Sequence, residues 1–223
     1  MRDPVIIHLD QMIRLRKQLE STSSLGLGSG RAAADFVRAL EGDDSIARRL
    51  TVYPSSMQIQ LVAAKARLKI GSIEFIREVD TMVDGADQID SRRRIIKGGG
   101  GALLNEKILW EAAKSIFVIA GVEKFVKNLS MPVPVEVVPA AVELVSRRLT
   151  LSGGKATLRL LERGFPLLTE RGNMILDVSF GSIPDAEALE KKVKVYPGVV
   201  EVGLFNFPDV SIYRIKGNSA EEL

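Results

Sequence analysis

The chain contains no cysteine and a single histidine, His8. Disulfides and thiolate nucleophiles are excluded, and so is a metal site built from several imidazoles. Aromatic residues make up only 5% of the chain, and the formal charge is +3 over 223 residues. A nucleic-acid binder concentrates positive charge on one face, so this balance argues against nucleic acid. No apolar run approaches the ~18 residues of a membrane span. The opening Met1-Arg2-Asp3-Pro4 lacks the form of a secretory signal, so a cytoplasmic protein is expected. His8 reads as structural or exposed.

What is present is a hydrophobic fraction of 46%, enough for a sizeable core, and 19 glycines. Val5–Leu19 has helical spacing. Leu25–Gly30 reads as a strand entering a glycine-rich turn, with Arg31–Leu40 helical after it. Leu50–Tyr53 is a strand, followed by Ser55-Ser56 and a helix through Lys65 to Leu68. Ile73–Ile76, Thr81–Val83 and Ile95-Ile96 read as strands, Ala102–Lys114 as a helix, and Ile116–Ala120 as a buried strand. Strands alternating with helices indicate a parallel sheet.

The pattern changes at the proline-bounded stretch Met131–Pro139. A helix over Ala140–Leu149, strands over Lys155–Leu161 and Met174–Phe180, a helix over Asp185–Lys194 and a strand over Val199–Phe205 suggest an antiparallel α+β unit. Val210–Ile215 is expected to return to the larger sheet. The expected fold class is therefore α/β: a Rossmann-like parallel-sheet domain over 1–130, completed by a strand within 207–223. A second, smaller α+β, ferredoxin-like domain covers 131–206.

The chemistry-bearing residues follow predicted strands, where ligands of open parallel sheets bind. Gly26-x-Gly28-x-Gly30 can cradle an anion at a helix start, although a plain tight turn fits equally well. Asp84 and Asp87 flank Gly85-Ala86, which suits a turn as well as a carboxylate pair facing hydroxyls. Lys97 precedes four glycines, Gly98, Gly99, Gly100 and Gly101, whose backbone N–H groups can form an anion-binding nest. Lys97 adds a mobile positive charge. Glu106, about one turn into the next helix, suits either a helix first turn or a general base on a rigid element. Arg92-Arg93-Arg94 reads as a solvated turn, with anion attraction the alternative.

At these residues the chain resembles the type A ribose-5-phosphate isomerase family. That family's Asp-Gly-Ala-Asp-Glu-Ile appears as Asp84–Ile89 with Gln88 in place of glutamate, and its lysine–glycine–glutamate motif as Ile96–Lys107. Its proline–valine–glutamate stretch appears as Pro132–Pro139, and its asparagine-rich turn as Arg171–Asp177. Pro197–Phe205 matches a further motif. The resemblance implies reversible interconversion of ribose 5-phosphate and ribulose 5-phosphate, without metal or organic cofactor, by a homodimer or homotetramer. It implies Glu106 as the base, Asp84 and Asp87 as acids for ring opening and hydroxyl protons, and Lys97 as a partner for the developing oxyanion. Lys124 matches a lysine near the substrate. Gly28, Ser29, Gly30, Arg31, Ala32, Ser55 and Ser56, with Gly98–Gly101, are the expected substrate contacts. The family's Gly-Thr-Gly-Ser-Thr is here Gly28-Ser29-Gly30-Arg31-Ala32. Two hydroxyl donors are replaced, and Arg31 either supplies a bidentate phosphate contact instead or points to solvent.

Three rivals stand beside this reading. A sugar-phosphate sensor on the same fold would carry a DNA-binding segment, and none is visible. A CoA transferase would use a glutamate as nucleophile and need more chain. An isomerase for another aldose phosphate would keep the catalytic set and change the phosphate loop.

Overall fold

The computed structural model describes residues 7–41 and 43–223. The first residues of the helix expected over Val5–Leu19, and Gly42 of the Glu41–Asp44 turn, lie outside the described residues. In chain order the structure runs α1 (Ile13–Ser21), β1 (Ser24–Leu27), α2 (Gly30–Leu40), α3 (Asp44–Ala47), β2 (Thr51–Pro54), α4 (Met57–Lys65), β3 (Lys69–Ile70) and β4 (Val79–Asp84). Next come β5 (Gln88–Asp90), β6 (Ile95–Ile96), α5 (Leu103–Ala112), β7 (Ala113–Gly121) and β8 (Phe125–Val126). The remainder is β9 (Val133–Val137), α6 (Val142–Leu151), β10 (Lys155–Leu158), β11 (Met174–Ser179), α7 (Ala186–Lys194), β12 (Val199–Val202), β13 (Leu204–Phe205), β14 (Val210–Lys216) and β15 (Ser219–Glu222).

These elements fall into two compact units. The first comprises the residues through Ala86, Asn105–Glu123 and Pro208–Leu223. Its sheet has the order β15-β14-β7-β4-β1-β2-β3. All its pairings are parallel except that of β14 with the edge strand β15. This is the doubly wound arrangement, and the strand order reverses between β1 and β4. Central parallel strands are covered on both faces, which is why β7 is apolar and buried from Ile116 to Gly121. Leu25 and Leu27 of β1, Phe36 and Val37 of α2 and Ile59 of α4 share its core.

The second unit comprises Asp87–Leu104 and Lys124–Phe207. Its larger sheet is antiparallel in the order β10-β11-β9-β12. With α6 and α7 the chain order is βαββαβ, the ferredoxin-like pattern. Val133, Val135 and Val137 of β9 pack with Val145 and Leu149 of α6 and Val193 of α7. The Asp185 side chain caps α7 by accepting the Ala188 N–H at 2.9 Å, which starts the helix where an aspartate before a polar helix is expected to start it.

The division differs from the expected boundary at residue 130. Ile95 and Ile96 do not enter the parallel sheet. They pair antiparallel with Phe205 and Leu204, and with Ile89 and Gln88, in a small sheet of order β13-β6-β5-β8. Ile96 is also buried against the β9 core, which draws Asp87–Leu104 into the second unit. Ile73–Ile76 is likewise not a strand. The Ser72 hydroxyl accepts the Glu74 N–H and turns the chain into a 3-10 segment, leaving Phe75 92% exposed. The expected N-terminal helix is a 3-10 turn over Leu9–Gln11 followed by α1. The helix after Gly101 stops at Ala112 because Ala113 opens β7.

Candidate active site

In the first unit two buried carboxylates, Asp84 and Glu106, lie by the switch point between β1 and β4. Asp84 ends β4 and has no exposed surface. Its Oδ1 accepts the Gly85 N–H at 2.7 Å, and its Oδ2 accepts the Trp110 indole N–H at 2.8 Å. The carboxylate lies so close to β1 that a Cβ on Gly28 would sit 1.8 Å from Oδ1. Gly28 is therefore required for close approach, and the Gly28 N–H ties the loop to Val83 O at 2.9 Å.

Glu106, on α5, is 1% exposed. Its Oε1 accepts the Ser29 hydroxyl at 2.6 Å and the Ser29 N–H at 3.2 Å. Two donors from a glycine-rich loop thus fix the orientation of a buried carboxylate. One residue earlier, the Asn105 amide donates to Ser55 O at 2.8 Å and holds α5 to the loop after β2. Trp110 lies one turn beyond Glu106, so one helix supplies both the glutamate and the donor to Asp84.

The expected phosphate-loop residues divide into distinct roles. Ser29 serves Glu106. The Gly30 N–H, at the start of α2, donates to the Gln58 side-chain oxygen at 3.1 Å. Arg31 is exposed, and Ala32 lies 3.2 Å from where a Cβ on Gly85 would be. Ser56 caps α4 through Ile59 N–H at 3.4 Å. The Ser55 hydroxyl is buried without a hydrogen-bond partner among the described residues.

In the second unit Asp87, Lys97, the four glycines and Lys124 are found. The Gly99 N–H donates to Asp87 Oδ2 at 2.7 Å. Gly98 has φ +103°, a left-handed conformation that favours glycine, and its carbonyl accepts the Gly101 N–H at 3.0 Å to close the turn. Lys97 is 3% exposed, and its ammonium lies 5.6 Å from the Phe205 ring centroid. Lys124 is half-buried at the end of the 3-10 turn after β7. Gln88, which replaces the family's glutamate, accepts the Ser130 and Met131 N–H groups at 2.7 and 3.0 Å and so serves the chain path.

The motif around Pro132–Pro139 also acquires a structural meaning. Glu136 of β9 is 1% exposed and accepts the Thr169 hydroxyl at 2.8 Å and the Asn173 amide at 2.9 Å. Burial pushes its carboxyl above the usual range, against these donors and the Leu104 N–H. The Asn173 turn is thereby bound to the sheet.

Trp110, Gln58 and Arg159 lie outside the motifs read from the sequence, and Asn105 and Asp177 lie within them without an assigned role. Trp110 carried a signal, being the only tryptophan and four residues from Glu106. Among the described residues no cluster of three or more histidine, aspartate or glutamate side chains is arranged to hold a metal. No described helix is long and apolar enough to cross a membrane.

The parallel-sheet unit, the smaller antiparallel unit and the buried, donor-held carboxylates at the sheet's switch point define the architecture of an α/β enzyme. The chain belongs to the ribose 5-phosphate isomerase A (phosphoriboisomerase A) family, whose model matches residues 51–215. It is 38% identical over 200 residues to the ribose-5-phosphate isomerase A of Parvibaculum lavamentivorans, covering 86% of this chain and 87% of that one. The solved ribose 5-phosphate isomerase A of Methanocaldococcus jannaschii is 34% identical, with a TM-score of 0.85 over 93% of this chain and 95% of that chain. A D-ribose-5-phosphate isomerase solved in complex with phospho-erythronic acid is 30% identical, with a TM-score of 0.84 over 94% and 98% of the two chains. The family is one of aldose–ketose isomerases of the pentose phosphate pathway.

Proposed function

We propose that this chain interconverts ribose 5-phosphate and ribulose 5-phosphate through an enediol(ate), with the Glu106 carboxylate as the base. The observation that carries this reading is Glu106 itself. It is a buried carboxylate on a helix, oriented by the hydroxyl and amide of Ser29 at the carboxyl edge of a parallel sheet. A general base is most effective when its position is fixed before substrate arrives.

The furanose ring opens first. The anomeric hydroxyl loses a proton and the ring oxygen gains one. Glu106 then removes the proton from C2 while the aldehyde oxygen O1 takes up a proton, giving the cis-enediol. The glutamic acid returns its proton to C1, the C2 hydroxyl loses its proton, and C2 becomes the ketone carbon. One carboxyl group serves both carbons because they are adjacent, and no atom is gained or lost. Family resemblance assigns Asp84 and Asp87 to ring opening and hydroxyl protons, and Lys97 to the negative charge of the enediolate. One well-placed donor to such an oxyanion is worth ~3 kcal/mol in the transition state. The ligand of one relative supports this assignment by its chemistry: the carboxylate of phospho-erythronic acid has two coplanar oxygens, as an enediolate has.

A second reading, another aldose phosphate as substrate, is favoured by one observation. The Gly30 N–H that opens α2 is engaged by Gln58, and Arg31 is exposed. An isomerase assay comparing ribose 5-phosphate with other aldose phosphates separates the two. A marked preference for ribose 5-phosphate supports the first reading, and a better substrate of another chain length replaces it. Arg31→Ala is expected to raise KM more than it lowers kcat. An unchanged KM would remove Arg31 from phosphate binding.

A further inference from the structure

A charged side chain with no role implied by the family resemblance, that of Arg159, reaches the glycine loop. Arg159, just past β10, is 14% exposed at its side chain. Its Nη1 donates to Gly98 O at 2.7 Å and to Gly99 O at 3.1 Å. Its Nε donates to Asp177 Oδ2 at 2.8 Å, and its Nη2 to Asp177 Oδ1 at 2.5 Å. Asp177, on β11, thus seats the guanidinium in a bidentate pair and leaves one edge of the fork for the loop.

The geometry of one peptide bond gives this contact its meaning. The Gly98 carbonyl and the Gly99 N–H belong to the same planar trans peptide, so they point in opposite directions. The carbonyl accepts from Arg159 at 2.7 Å, and the N–H donates to Asp87 at 2.7 Å. The peptide dipole therefore lies between a cation and a carboxylate, with each end facing the opposite charge. The next peptide repeats the orientation. Its Gly99 carbonyl faces Arg159, so the Gly100 N–H points away from the guanidinium. Glycine peptides rotate readily. A flipped Gly98–Gly99 peptide would turn a carbonyl oxygen toward the Asp87 carboxylate and remove its donor.

We propose that Arg159, seated by Asp177, is a positioning residue for the isomerase reaction. It holds two consecutive loop peptides with their carbonyls toward itself, so that the Gly99 N–H fixes Asp87 and the Gly100 N–H faces the anionic oxygen of the substrate. The inference rests on the proposed reading of Asp87 and the glycine loop as parts of the isomerase machinery. It gives the Arg171–Asp177 motif a task, since Asp177 acts through Arg159 rather than by touching substrate.

The test uses the full-length enzyme with ribose 5-phosphate. Arg159→Ala is expected to lower kcat by about 100-fold, the cost of a small misplacement in a catalytic array. KM should change much less. Free guanidinium ion at sub-denaturing concentration should restore part of the lost kcat in this variant and none in Glu106→Gln. Arg159→Lys, which keeps the charge and loses the fork, should recover only a fraction. A kcat within twofold of the parent enzyme, or a loss that guanidinium does not relieve, overturns the proposal. If Arg159→Ala does not fold, Asp177→Asn carries the test, and an unchanged kcat there overturns it. Glu106→Gln in parallel separates the two levels. An active Glu106→Gln defeats the mechanism, whereas an inactive one beside a fully active Arg159→Ala defeats this inference alone.

Discussion

Asp84 and Asp87 are three residues apart and are held by opposite means. Asp84 is fully buried and bound by an indole N–H from α5, a backbone N–H and the bare Cα of Gly28. Asp87 is bound by the N–H of a peptide in an exposed glycine loop, and that peptide is itself held by Arg159. The first carboxylate is fixed by packing, the second by a hydrogen-bonded chain. Packing tolerates little change of volume, whereas a chain of hydrogen bonds fails when any link is removed.

The contrast sets the order of expected effects away from the base itself. Gly28→Ala should be the most damaging change at Asp84, because its Cβ has no room beside Oδ1. A loss of about 1–3 kcal/mol in stability is expected from overpacking, with kcat falling about 100-fold as the carboxylate shifts. Chemical denaturation and steady-state kinetics check both, and near-normal values would show that Asp84 is not held by volume. Trp110→Phe removes one donor and keeps most of the packing. About 2 kcal/mol should be lost, as for a hydrogen bond to a charged group, with kcat lower by about tenfold and KM little changed. A variant with unchanged kcat would break the link between the indole and Asp84.

A smaller effect is expected at Asp80, at the other end of β4. Burial pushes its carboxyl up, but the Ser23 and Ser24 amides and hydroxyls override this and hold it well below its usual 3.8. A depressed carboxyl contributes stability above its unfolded value and loses it as pH falls through the folded one. Asp80→Asn should therefore lower Tm at pH 7, with the difference narrowing below about pH 3.8. Kinetics should not change. A constant Tm difference across that range would contradict the assignment.

Much of this was legible from residue order. The run Lys97–Gly101 between an apolar pair and a helix has no common role in core construction, so it identified the loop. The apolar run Ile116–Ala120 identified a central strand because both its faces are covered. Other features were not legible because their partners are distant in sequence. Gln88–Asp90 is too short and polar to read as a strand, and it exists by pairing with Ile95-Ile96 and Phe125-Val126. Ile95-Ile96 reads as a strand of the parallel sheet, but pairing with the distant Leu204-Phe205 decides its place. Arg159 and Asp177 look like ordinary strand charges until the loop carbonyls are seen beside them. The hydrogen bond from the Ser29 hydroxyl to Glu106, 77 residues on, is likewise invisible in residue order.

In the proposed mechanism Glu106 carries the proton between C2 and C1. Ribose 5-phosphate incubated in deuterated water with the parent enzyme and with Glu106→Gln, followed by NMR at both carbons, measures that transfer directly. Solvent deuterium is expected at the reacting carbons with the parent enzyme. No deuterium is expected at either carbon with Glu106→Gln. Deuterium incorporation by Glu106→Gln at the parent rate would contradict the mechanism.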